Sequence, residues 1–75
     1  MDKTQLLYGA LESKYLAQIA EAKATLAIYF TNSVGIGEHP QHLEEMDKFI
    51  SQLADAEDKL DCLRHLKLID PTTPF

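Results

Sequence analysis

Apolar residues recur at intervals of three and four along two stretches of this 75-residue chain, and between the stretches the pattern stops. In the first, Tyr8, Tyr15, Ile19, Ala22, Leu26 and Tyr29 step by threes, fours and one gap of seven, the mark of a heptad seam on a helix. Glu12 stands where the missing member of that seam belongs. A second row, Leu16, Ala20, Ala27 and Phe30, runs beside the first. One helix from 3 to about 32 accounts for both rows, with Asp2 or Thr4 able to cap its start. In the second stretch Met46, Phe49, Leu53, Ala56, Leu60 and Leu63 repeat with the same spacing, and Leu43 and Ile50 widen the stripe. That pattern predicts a helix from 40 to about 68.

The break between them reads as a turn. Gly35 and Gly37 can take positive φ at little cost, and Thr31, Asn32 and Ser33 compete for the backbone hydrogen bonds a helix needs. Pro40 suits the first position of a new helix, with His39 near its cap. Glu38, Glu44 and Glu45 lie where the helix dipole favours negative charge. Asp70-Pro71 ends the second helix, because a residue before proline disfavours the helical conformation. Residues 70–75 are expected to form a short extended tail. The predicted fold is all-α: an antiparallel two-helix hairpin (about 3–32 and 40–68) in a single domain over 1–75.

Size then changes the picture. A single core in a chain this small gains about 3–5 kcal/mol, and two rods side by side leave much of each apolar stripe wet. The expectation is a helical bundle completed by oligomerisation, with a dimer as the favoured order. The residues expected between copies are Tyr15, Ile19, Leu26, Phe30, Met46, Phe49, Leu53 and Leu60.

Charge narrows the choice of partner. The net charge of −5 argues against affinity for nucleic acid phosphates or anionic membranes. The second helix carries the imbalance, seven acids against four bases over 40–68. Asp47, Asp55, Asp58 and Asp61 are the candidates for a face that meets a protein partner. Pairs at helical spacing, Glu44 with Lys48 and Asp55 with Lys59, are expected along it. The excess is small for a DNA mimic. One cysteine, no secretory leader pattern and no run long enough to span a membrane point to the cytoplasm.

Candidate chemistry is sparse. His39 and His42, with Glu45, could approach one metal ion, although the spacing is not that of zinc hydrolases. Ordinary solvated first-turn residues explain them better. Gly35-x-Gly37 lacks the Lys-Ser or Lys-Thr of a phosphate loop and runs into Glu38, so turn geometry is the better account. Cys62, beside Arg64 and His65, is expected to be a semi-buried, inert thiol. Glu12 either pairs with Lys59 or Arg64 of the opposite helix or marks the end of the seam and lies exposed; the exposed reading is preferred. The three tyrosines with Phe30 and Phe49 could line a ligand pocket between subunits, but aromatics at helical spacing more often make core.

The string Val34-Gly35-Ile36-Gly37-Glu38-His39-Pro40, followed by Ala56-Glu57-Asp58-Lys59-Leu60, is similar to small hairpin proteins of tailed phages. That resemblance implies the hairpin fold, a host-cytoplasmic setting, and no catalytic residues. The terminal Pro74-Phe75 bears a slight likeness to the acidic Pro-Phe tips of bacterial single-stranded-DNA-binding proteins, on one acid and two residues.

The expected function is therefore non-enzymatic and cofactor-free: an acidic helical protein that self-associates and binds a protein, as a phage accessory or a modulator of a host factor. One alternative is an oligomeric sponge holding a small molecule or nucleotide between subunits, with Lys14, Lys23 and the tyrosines at its sites. The other is a metal-dependent enzyme using His39 and His42.

Overall fold

The structure is a computed structural model that describes residues 2–31 and 41–69. The turn expected at 32–40 and the tail expected at 70–75 lie outside the described residues. Helix α1 spans Lys3–Thr31 and helix α2 spans Gln41–Ile69, within one or two residues of the predicted limits. The two pack against each other, and the described residues contain no strand.

α1 starts on a reciprocal cap. The Gln5 backbone N–H donates to Asp2 Oδ1 at 2.8 Å, and the Asp2 N–H donates to Gln5 Oε1 at 3.3 Å. Two backbone donors that a helix start leaves orphaned are thereby satisfied. Asp2 rather than Thr4 is the cap. At the other end the Thr31 hydroxyl bonds back to the Ala27 carbonyl at 2.7 Å, satisfying that hydroxyl within its own helix.

Ala22, Leu26, Ala56 and Leu60 are buried, and Tyr8, Glu12, Tyr15, Ile19, Tyr29, His42, Met46, Phe49, Leu53 and Leu63 are half-buried. These are the two heptad seams, each advancing by alternate threes and fours. With only two helices present, each seam can be covered only by the other.

The Tyr29 and His42 rings meet edge to face with centroids 5.6 Å apart, which sets the register near the turn. Stepping along both seams from that layer brings Leu26 against Met46, Ala22 against Phe49, Ile19 against Leu53, Tyr15 against Ala56, Glu12 against Leu60 and Tyr8 against Leu63. The last pair does line a common groove. In this register each fully covered alanine is level with an aromatic residue: Ala22, 0% exposed, with Phe49, and Ala56, 1% exposed, with Tyr15. Small against large keeps the layer volume constant and the helices evenly spaced.

Candidate functional site

The seam has two flanks, and same-named heptad positions share a flank in an antiparallel pair. On one lie the residues just before a seam position: Leu11, Gln18 and Thr25 of α1, and Glu45, Gln52, Lys59 and Leu66 of α2. Gln52 closes this flank. Its Nε2 donates to the Gln18 carbonyl at 3.0 Å and to Glu21 Oε1 at 2.7 Å. Where the chain ends converge the same flank opens into a groove of about 340 Å³ lined by Thr4, Leu7, Tyr8, Leu11, Leu63 and Leu66.

On the other flank lie the residues just after a seam position: Gly9, Leu16, Lys23 and Phe30, and Leu43, Ile50, Glu57 and Arg64. Their register layers are Phe30 with Leu43, Lys23 with Ile50, Leu16 with Glu57, and Gly9 with Arg64. Phe30 is 66% exposed, Leu43 68%, Ile50 47% and Leu16 45%. Ala20, Ala27 and Ala54 continue the apolar surface outward from this flank and are exposed as well.

Seven of the eight residues expected between copies lie where the two helices of one chain meet. Tyr15, Ile19, Leu26, Met46, Phe49, Leu53 and Leu60 lie on the seams and are buried or half-buried within one chain. Phe30 alone of that set is outward and exposed. The apolar stripes are wide: each helix covers its seam with its neighbour, and the surplus is Phe30, Leu43, Ile50 and Leu16 on one flank and Leu7, Leu11, Ile28 and Leu66 toward the other. The tyrosines sit on the seam too, while Lys14 and Lys23 are exposed, so these residues do not converge on one site.

Glu12 corrects the preferred reading. It is tied across the hairpin to Arg64, whose Nε donates to Glu12 Oε2 at 3.2 Å, with the Glu12 side chain only 34% exposed. Lys59, the other partner considered, is bound instead to Asp55 at 2.9 Å, as expected within α2. Lys48 pairs with Glu45 at 3.0 Å rather than with Glu44. The hydrogen bond and the negative charge from Glu45 hold the Lys48 ammonium above the ordinary lysine range, and Asp55 does the same for Lys59.

Cys62 is exposed, not semi-buried. It lies two residues beyond buried Leu60, a step of some 200° around a helix at about 3.6 residues per turn, which carries it to the outer face. It lines a shallow, open depression with Asp58, Asp61, Arg64 and His65. Among the described residues no three His, Cys, Asp or Glu side chains gather where they could hold a metal ion. His42 packs on Tyr29, and His39 lies outside the described residues.

Asp47, Asp55, Asp58 and Asp61 are all exposed on the outer face of α2. Asp55 is partly neutralised by Lys59, and the guanidinium of Arg64 is engaged by Glu12. No ion pair at Asp47, Asp58 or Asp61 is found among the described residues, so this stripe keeps its negative charge. No helix among the described residues is long and apolar enough to cross a membrane. No protein-family model matches the chain, and no match to it is found among curated proteins or among solved structures.

Proposed function

We propose that this is a non-enzymatic helical protein that self-associates and presents the acidic stripe of α2 to a protein partner. The observation that carries the reading is the division of the surface into two unlike faces. One is the apolar flank of Phe30, Leu43, Ile50 and Leu16. The other is the outer stripe of Asp47, Asp55, Asp58 and Asp61. An apolar flank adjoining polar surface is suited to another helical surface, and a row of carboxylates on a rigid helix, of which only Asp55 is ion-paired among the described residues, steers a basic one. The likeness to tailed-phage hairpins supports placing the partner in a host cytoplasm, with the chain as an accessory or a modulator.

The test is comparative capture. The tagged wild-type chain is used beside a variant carrying Asp47→Asn, Asp55→Asn, Asp58→Asn and Asp61→Asn, both checked for helix content. A partner held by the wild type, released by moderate salt and lost with the variant, supports the acidic stripe as the docking face. Capture of the same protein to the same extent by both overturns it.

A further inference from the structure

We propose that the outer face of α1 is covered by the same face of a second copy of this chain, the two α1 helices running antiparallel about a two-fold axis at Ala17. The inference rests on the self-association proposed above and adds which helix is used and in which direction. Among the described residues six of the nine large apolar side chains left exposed belong to α1, and only Leu43, Ile50 and Leu66 to α2. Charge divides the same way, with five charged residues over 3–31 against eleven over 41–69. A helix that is apolar on its outer side as well as along its seam packs on both. α2, with carboxylates along its outer side, is suited to water.

The face of α1 opposite the seam centres on Ala10, Ala17 and Ala24. Leu6, Ser13, Ala20 and Ala27 border that row toward the Phe30 flank. Leu7, Lys14, Glu21 and Ile28 border it toward the Gln52 flank. All are exposed in the single hairpin, Leu6 at 58%, Leu7 at 59% and Ile28 at 64%. The face therefore joins the apolar surface of both flanks across one helix.

Charge complementarity sets the direction. Laid antiparallel with Ala17 on the axis, Ala10 faces Ala24 of the other copy. In the same register Lys14 lies beside Glu21 of the other copy and Leu7 beside Ile28, each pair occurring twice. Leu6 meets Ala27 along the opposite border. The Glu21 carboxylate is already held at this border by Gln52 Nε2 at 2.7 Å. A parallel pair would set the Lys14 row beside the Ser13 row, and neither Lys14 nor Glu21 would gain an opposite charge. Alanine along the centre lets the two backbones approach closely and brings the bordering side chains within reach. The two α2 helices then lie at the outside of a four-helix layer, three helix spacings or about 25–30 Å apart. The acidic stripes of the two copies neither meet nor become covered.

The experiment is sedimentation equilibrium on the whole chain and on Ala17→Glu, Lys14→Glu, Glu21→Lys and the last two combined. These positions are exposed, and helix content by circular dichroism checks that each variant folds. Glu21→Lys also gives up the Gln52 bond, so it is read against Gln52→Ala, which loses that bond alone. The wild type is expected as a dimer. Ala17→Glu sets two carboxylates together on the axis and is expected to weaken it about a hundredfold or more. Each single charge reversal is expected to weaken it about fivefold, and the combined variant to recover most of that loss. A wild-type dimer unmoved by Ala17→Glu overturns the proposed face while leaving self-association intact. A dimer lost with Ala17→Glu but indifferent to both charge reversals, or weakened by them without recovery in the combined variant, overturns the antiparallel pairing. A wild-type chain that stays a monomer at high micromolar concentration overturns both the face and the self-association beneath it.

Discussion

The two flanks of the seam are built from the same two helices yet differ in how they end. On the Gln52 flank a side chain crosses from α2 and finds both a backbone carbonyl and a carboxylate on α1. On the Phe30 flank no such tie is found in the middle layers among the described residues, and large apolar groups are exposed there, as Leu7, Leu11 and Leu66 are on the other flank. Arg64 crosses this flank only near the chain ends, to reach Glu12. The difference teaches that a two-helix hairpin has one seam but two sides to finish. This chain ties one across its middle with a polar bridge and ties the other only near the Glu12–Arg64 end.

The sharpest way to break the comparison is to remove what both flanks depend on. Leu60→Ala takes a buried side chain out of the seam and is expected to cost about 2–5 kcal/mol, comparable to the whole stability of a core this size. Thermal melting monitored by circular dichroism should show loss of the cooperative transition, and a retained transition near the wild-type midpoint would mean the seam is not what holds the pair. On the polar flank, Gln52→Ala removes two hydrogen bonds and is expected to cost about 1 kcal/mol. Urea titration reads that loss directly.

The apolar flank should respond in the opposite sense to a small addition. Gly9→Ala supplies a better helix former where nothing blocks the new methyl group, for a gain of about 0.5–1 kcal/mol to the hairpin. Urea titration should show the gain; a loss would mean that the backbone at Gly9 is not free. The smallest effect concerns pH. Lys48 and Lys59 bind their protons more tightly in the folded chain than an ordinary lysine does. Their pairs therefore contribute fully below pH about 10 and fade as pH rises through the elevated values. Lys48→Gln with Lys59→Gln should flatten a small fall in melting temperature as pH rises above the ordinary lysine pKa of about 10.4, and an unchanged fall would assign it to other groups.

Much of the fold is legible in the sequence because heptad spacing leaves little choice. Tyr8 to Tyr29 and Met46 to Leu63 can form stripes only on helices, and both stripes are where the structure has them. What spacing does not carry is the identity of the surface that covers a stripe. Leu26 and Phe30 both sit at helical intervals, and only the packed pair separates the buried residue from the exposed one. That is why spacing alone does not say whether a seam residue is covered within the hairpin or by another copy. It narrows the partner of Glu12 to two, but choosing Arg64 over Lys59 needs the axial offset of the helices, a property of the pair rather than of either strip of sequence. The Lys48 pairing depends on rotamers of exposed side chains, where three and four residues of separation are nearly equivalent. Cys62 is misjudged from its neighbours, since adjacency to a core leucine says nothing about the side of the helix.

The alternation of Ala22 under Phe49 with Tyr15 over Ala56 also acts against sliding. Shifting one rod a heptad along the other in one direction forces Tyr15 onto Phe49 and sets Glu12 beside Glu57. Shifting it the opposite way stacks Ala22 on Ala56 and leaves a hole. Each mistaken alignment thus carries its own steric or electrostatic penalty, and the correct one does not depend on the connecting segment to impose it. Replacing 32–40 by a Gly-Ser linker of equal length should leave the distance between spin labels at Ser13 and Ser51 unchanged; a second distance population, as an axial slide of about 10 Å (one heptad of rise) would give, would show that the connector had been keeping the rods in step.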